Sequence, residues 1–185
     1  MLSENIFTIL DEIIDTRFKL SNSGGIIHIT ENSDIKCKYI KIQTSTKTFS
    51  LSLDNNHNVF NCFNSGVKNI NKKNDAILFF EKDSYIVVLL IELKSDNPKG
   101  YLQQLKAGKN FVEYLLKQID LFYDINIDKE KIIYRGVLFS TKKSPAKGTT
   151  KKDSYSFQDR NGLMCITLNC NQEYKLKKFQ DSIKI

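Results

Sequence analysis

The sequence predicts a mixed α/β fold, and three observations predict it. An amphipathic helical pattern opens the chain, a group of β-branched, strand-like segments follows, and a long helical pattern separates two further sets of apolar runs. At 185 residues the chain is expected to form one domain over 1–185, long enough to bury a sizeable core. A hydrophobic fraction of 41% excludes whole-chain disorder, and 8 glycines with 2 prolines exclude a collagen-like or linker-dominated chain. The longest apolar run, Tyr85 to Ile91, is too short to span a bilayer. Glu4, Asp11, Glu12 and Asp15 stand where a signal peptide would need an apolar core. A soluble, cytoplasmic protein with no membrane partner is therefore expected.

The first helix is expected to start at an N-cap on Ser3 and to bury Ile6, Ile9, Leu10, Ile13, Ile14 and Phe18, ending before Ser21-Asn22-Ser23-Gly24-Gly25. Three antiparallel strands should follow over Ile26 to Thr30, Ile35 to Thr44 and Thr48 to Leu53. Residues 55–74 are rich in asparagine and read as loop, anchored by Val59, Phe60 and Phe63. Ala76 to Phe80 and Tyr85 to Leu93 form a hairpin, and the near-continuous apolarity of the second run marks a central strand covered on both faces. A helix over Lys99 to Leu121 carries a core stripe of Tyr101, Leu105, Gly108, Val112, Leu115 and Ile119. A strand over Ile132 to Ser140 follows it, then an exposed basic loop over 141–153, a strand over Leu163 to Leu168 and a lysine-rich segment from Tyr174 to Ile185.

The formal net charge of +7 raises the expectation of a polyanionic partner. Arginine occurs only at 17, 135 and 160, so lysine supplies the surplus, and part of that can reflect coding bias in a chain also rich in Asn and Ile. Lys142, Lys143, Lys147, Lys151 and Lys152 fall together in the basic loop and are the candidate nucleic-acid contacts. The four cysteines, 37, 62, 165 and 170, form no C-x-x-C pair, and the two histidines, 28 and 57, lie far from them in sequence, so neither a zinc site nor a disulfide framework is expected.

The chemistry concentrates at Asn74-Asp75-Ala76-Ile77 and Ile91-Glu92-Leu93-Lys94. Glu92 and Lys94 are two apart and project from one face of a strand. With Lys82 and Asp83 at the hairpin tip, Glu81 pairs with Ser84 and Asp75 with Leu90, which places Asp75 and Glu92 as diagonal neighbours ~7–8 Å apart at the backbone. Two carboxylates converging at the end of apolar strands repel one another and are costly to desolvate. A hard divalent cation, Mg²⁺ or Mn²⁺, resolves both problems, because it takes carboxylate oxygens and completes its shell with water and substrate phosphates. The lysine could then orient or help deprotonate an attacking water, so the pattern points to phosphodiester hydrolysis.

Asp75, a hairpin, then Glu92-Leu93-Lys94 resembles the motif of the PD-(D/E)XK nuclease superfamily, which includes restriction endonucleases and Holliday junction resolvases. The resemblance implies a restriction-endonuclease-like αβββαβ core with a mixed central sheet flanked by helices, covering about 75–140 and, more loosely, the first helix. It implies metal binding by Asp75 and Glu92 and assistance to the attacking water by Lys94. It also implies a further metal-binding glutamate from the first helix, for which Glu12 is the candidate with Asp11 and Asp15 as competitors, and a catalytic glutamine on the next helix, Gln104 with Gln103 adjacent. Asn74 stands where the family name places a proline, and Gly108 stands four residues after Gln104 where one branch of the family has a tyrosine. The expected function is thus Mg²⁺- or Mn²⁺-dependent cleavage of DNA rather than RNA, with a defence or repair setting and a homodimer or larger complex both compatible. The alternative is a catalytically inactive nuclease-like fold that binds nucleic acid or a partner protein.

Overall fold

The computed structural model describes residues 2–31, 36–54, 62–64, 66–95, 98–141 and 155–185. The described residues form a mixed α+β fold of three helices and two mixed sheets. In chain order the elements are α1 (Leu2–Ile13), β1 (Asn22–Ser23), β2 (Ile26–Thr30), β3 (Tyr39–Gln43), β4 (Thr48–Leu51), β5 (Ala76–Lys82), β6 (Tyr85–Lys94), α2 (Tyr101–Tyr123), β7 (Ile132–Ser140), β8 (Gln158–Arg160), β9 (Leu163–Asn169), β10 (Gln172–Lys175) and α3 (Leu176–Ser182). No helix among the described residues is long and apolar enough to cross a membrane.

The larger sheet has the order β4-β5-β6-β7-β9-β8. The pairs β4–β5 and β5–β6 are antiparallel, β6, β7 and β9 run parallel to one another, and β8 is antiparallel to β9. The parallel β6–β7 pair requires a crossover, and α2 supplies it. The smaller sheet, β1-β2-β3-β10, packs behind the larger one.

Strand alternation sorts the core into two layers. Ile77 and Phe79 of β5, with Ile86, Val88 and Leu90 of β6, face Leu10 of α1 and Leu105, Val112 and Ile119 of α2. The intervening residues, among them Leu78, Phe80, Val87, Leu89 and Ile91, face Ile27, Ile29, Ile40 and Ile42 of the smaller sheet and Phe179 of α3. Residues 86–93 of β6 are all buried, as the central strand of a sheet covered on both faces requires. Each of these large aliphatic or aromatic side chains contributes about 1.5–3 kcal/mol on full burial, so the two layers dominate the stability. The expected stripe of α2 is the observed one, with Leu116 added and Tyr101 only partly buried.

Several expectations are corrected. The first helix begins at Leu2, so Ser3 lies inside it, and it stops at Ile13 instead of continuing towards Leu20. Asp15 interrupts it, accepting the Arg17 N–H to cap a short 3-10 turn over Thr16–Phe18, so Phe18 does not lie on α1. The strand over Thr48–Leu51 does not pair with β3 but crosses to the larger sheet and pairs with β5. The strand expected over Ile35 to Thr44 is confined to Tyr39–Gln43. Phe63, expected to anchor the asparagine-rich stretch, is exposed, while Val59 and Phe60 lie outside the described residues. The lysine-rich tail includes α3, whose C-terminal carbonyls at Gln180 and Ile183 accept from Lys82 Nζ.

The hairpin register differs as well. Lys82 pairs with Tyr85, so the two-residue loop is Asp83-Ser84, with φ of 48° and 67°. Positive φ at both positions is the type I′ signature, whose twist matches that of the flanking strands. The register therefore shifts by two residues from the expected one. Because the shift is even, every side chain keeps its face.

Candidate functional site

The site is built where β5 begins and β6 ends. Ala76 pairs with Ile91, and the next step outward brings Asp75 opposite Glu92. Asp75 is thus a direct cross-strand neighbour of Glu92, closer than the diagonal relation expected. Asp75 Oδ2 accepts the backbone N–H of Leu93 at 2.5 Å, which fixes the carboxylate against the end of β6. Asp75 is buried, and Glu92 is wholly so.

Lys94 Nζ lies 2.6 Å from Glu92 Oε1, a close ion pair. Besides Lys94 and the Asp75 backbone, no donor among the described residues reaches the Glu92 carboxylate. A fully buried carboxylate with so few donors is costly in a folded protein. Burial raises the Glu92 pKa, and the Asp75 charge raises it further, outweighing Lys94. Burial likewise raises that of Asp75, with Glu31 and Asp54 adding to it against the Leu93 N–H and Lys94. Lys94 is held above its ordinary value: burial opposes its charge, but Glu92, Asp75 and Glu31 together outweigh burial.

Two further carboxylates complete the group. Glu31, just after β2, and Asp54, just after β4, each offer an oxygen, and with Asp75 these oxygens all lie within 4.8 Å of one another. A cluster of this kind could bind a metal ion, with oxygen-only donors that suit a hard cation. Asp54 is tied to Lys73 at 3.8 Å, and burial raises its pKa. Sequence reasoning missed both residues. Glu31 follows β2 at the edge of the described residues and Asp54 borders the asparagine-rich stretch, and no periodicity links either to Asp75 in the chain. The available signal was local: each is an acidic residue immediately after a strand.

The structure does not bring Glu12 to this group. Its side chain is exposed and hydrogen-bonds with Tyr123, at the opposite end of α2 from Gln104. Asp11 pairs with Lys19 at 2.9 Å and Asp15 with Arg17 at 2.8 Å. Gln104 does lie beside the site, yet its Nε2 is committed to the Lys73 carbonyl at 3.1 Å, so it holds the segment leading into Asp75; Gln103 is exposed. Lys142, Lys143, Lys147, Lys151 and Lys152 lie outside the described residues.

Asn74 positions the start of β5. Its Nδ2 donates to the carbonyls of Ala76 and Ile91, stitching both strands together below the carboxylates. Gly108 of α2 makes room for it: a Cβ at 108 would stand 2.2 Å from Asn74 Oδ1. The missing side chain at 108 thus lets α2 approach the loaded end of the hairpin.

None of the four cysteines forms a disulfide, and Cys37, Cys165 and Cys170 are buried. Two cavities among the described residues lie away from the carboxylates, one along the C-terminal half of α2 and one beside Arg135. No family model, curated protein or solved structure matches the chain.

Proposed function

We propose that this protein is a metal-dependent nuclease that hydrolyses phosphodiester bonds, with DNA as substrate and Mg²⁺ or Mn²⁺ as the cation. The observation that carries the reading is the pairing of Asp75 with Glu92, both buried, beside Lys94. Support also comes from the antiparallel run β4-β5-β6 followed by α2 and by β7 parallel to β6, an order compatible with the αβββαβ core that the resemblance implies, with β1, β2 and β3 intervening between α1 and β4. The net charge of +7 suits a polyanionic substrate.

The donor set fits a hard cation: Asp75 and Glu92 would hold it, with Glu31 and Asp54 extending the oxygen cage on the other side of Asp75. When bound, such an ion polarises a phosphoryl oxygen and acidifies a coordinated water. The residues around it then act through charge. Lys94 retains its proton in the metal-free protein because three carboxylates outweigh burial. With those carboxylates neutralised, burial would dominate, so the Lys94 ammonium would release its proton to solvent more readily and the resulting amine could accept one from water. While protonated, it faces the charge that develops on phosphorus. Gln104 and Asn74 act at one remove, holding the backbone that carries Asp75.

The test is cleavage of end-labelled single-stranded and duplex DNA in Mg²⁺ or Mn²⁺, beside Glu92→Gln and Asp75→Asn. Wild type should cleave, EDTA should stop it, and each variant should lose at least ~100-fold in rate. Identical background from wild type and both variants would eliminate the nuclease reading. Binding of DNA that neither EDTA nor Glu92→Gln alters would leave a binding module in its place.

A further inference from the structure

On the sheet face opposite the carboxylates, a groove of about 530 Å³ is lined by Arg135 of β7, Met164 of β9, Tyr155 and Phe157, and, beyond α3, Lys184. The volume falls within the range of small-ligand sites. Its distinctive group is Arg135. The guanidinium is half-buried, donates to the Tyr134 carbonyl at 2.8 Å and lies 5.8 Å from the Phe157 ring centroid. Among the described residues no carboxylate lies within ion-pair distance of it. The acidic residue of the groove, Asp181, pairs instead with Lys177 at 3.0 Å.

A half-buried cation with no anion among the described residues is a cost unless something else supplies the anion. Burial depresses the Arg135 pKa, which is the same cost seen from the titration side. Guanidinium geometry matches phosphate and carboxylate oxygens in a bidentate fork, and Lys184 adds a second cation at the rim. The walls narrow the choice of anion. Phe157 already lies against the guanidinium, and Tyr155, packed on Phe179 with ring centroids 4.8 Å apart, is a braced second aromatic surface. Cation and aromatic faces together suit a ligand that carries both a phosphate and a planar base.

We propose that this groove binds a nucleotide unit, its phosphate on Arg135 and its base against the aromatic rings of Phe157 and Tyr155. The unit can come from a free nucleotide or from a single strand of nucleic acid. Arg135 pairs in register with Leu89, three residues before Glu92 on β6, and points to the other face of the sheet, so the groove is separate from the carboxylate site. The proposal does not depend on the nuclease reading.

The experiment measures binding of a fluorescein-labelled 15-mer of thymidylate by anisotropy in EDTA, which silences metal-dependent cleavage. Unlabelled dTMP and inorganic phosphate serve as competitors, and Arg135→Gln and Phe157→Leu as variants. Both variants should weaken binding at least tenfold while Leu121→Ala, at an exposed position of α2, leaves it within twofold. Competition by dTMP at concentrations where phosphate is inert supports a site for both phosphate and base. A strand that binds at least tenfold more tightly than dTMP identifies the strand as the source, and near-equal affinities identify the free nucleotide. Affinities within twofold of wild type for both variants overturn the proposal, as does phosphate competing as well as dTMP. Thermal unfolding of Arg135→Gln gives an independent readout: removing an uncompensated cation should leave the Tm unchanged or raise it, and a fall of several degrees with binding retained would make Arg135 structural and overturn the proposal.

Discussion

Asp75 accepts the backbone N–H of Leu93 while standing across the ladder from Glu92, so one short contact fixes two buried carboxylates side by side. That arrangement stores repulsion in the metal-free protein. Removing it needs a proton or a cation, and the two remedies lead to separate predictions.

The first concerns protons. Burial first, then neighbouring carboxylates (Glu31 and Asp54 for Asp75, Asp75 for Glu92), push the pair up, Asp75 to about 7 and Glu92 to about 8, from ordinary values near 4 in the unfolded chain. Between those limits the folded state binds more protons than the unfolded state, so stability falls as pH rises through the window. Metal-free protein should therefore lose roughly 5 kcal/mol, and with it several degrees of Tm or more, between pH 5.5 and pH 8.5. Glu92→Gln should flatten the profile, because the amide cannot ionise. A wild-type Tm in EDTA that is level or rises across this range would contradict the stored repulsion.

The second concerns cations. At pH 8 a divalent ion should stabilise the protein through binding linkage, by about 2.7 kcal/mol at a hundred times its Kd. Mg²⁺ or Mn²⁺ should raise the Tm of wild type, and Asp75→Asn should abolish the rise because Asp75 belongs to both carboxylate groups. The double variant Glu31→Gln/Asp54→Asn separates the halves. If its Tm response to the ion matches wild type, the Glu31–Asp54 side takes no part.

The strands that meet at the site were legible because alternation and apolarity encode them, and an even register shift could not move Asp75 off the face of Glu92. The shift itself was hidden: Asp83-Ser84 lacks the glycine that usually marks such a turn. Asn161-Gly162 did carry that signal, with φ of 52° and 82°, but its outer strand β8 is exposed throughout and has no apolar pattern. Glu31 and Asp54 were illegible for another reason. They reach Asp75 from two different sheets, and no local spacing in the chain encodes that meeting. Glu12 fitted a family expectation, yet helix phase turns it towards Tyr123.

The turn yields a prediction of its own. Ser84 holds φ of 67°, a left-handed conformation costly for a residue with a Cβ. Ser84→Gly should stabilise the protein by about 0.5–1 kcal/mol, visible as a higher urea midpoint at unchanged m-value. A lower midpoint would mean that the serine side chain contributes more than its backbone strain costs.

The last prediction tests how α2 is seated against the site. A methyl at 108 would lie 2.2 Å from Asn74 Oδ1 and 2.7 Å from Cγ, closer than packed atoms tolerate. Asn74 cannot simply swing aside, because its Nδ2 is bonded to the carbonyls of Ala76 and Ile91. Gly108→Ala should therefore destabilise the protein by about 1–3 kcal/mol even though alanine is the better helix former. Asn74→Ala should also destabilise, by loss of those two hydrogen bonds, on the order of 1–3 kcal/mol. The two losses share one cause, so the double variant Asn74→Ala/Gly108→Ala should be less destabilised than their sum by at least ~0.5 kcal/mol, because the truncated 74 side chain leaves the space that the new methyl needs. Urea unfolding of the four proteins measures that coupling. Strict additivity would show that Gly108 is tolerant of a side chain and that α2 does not rest on Asn74.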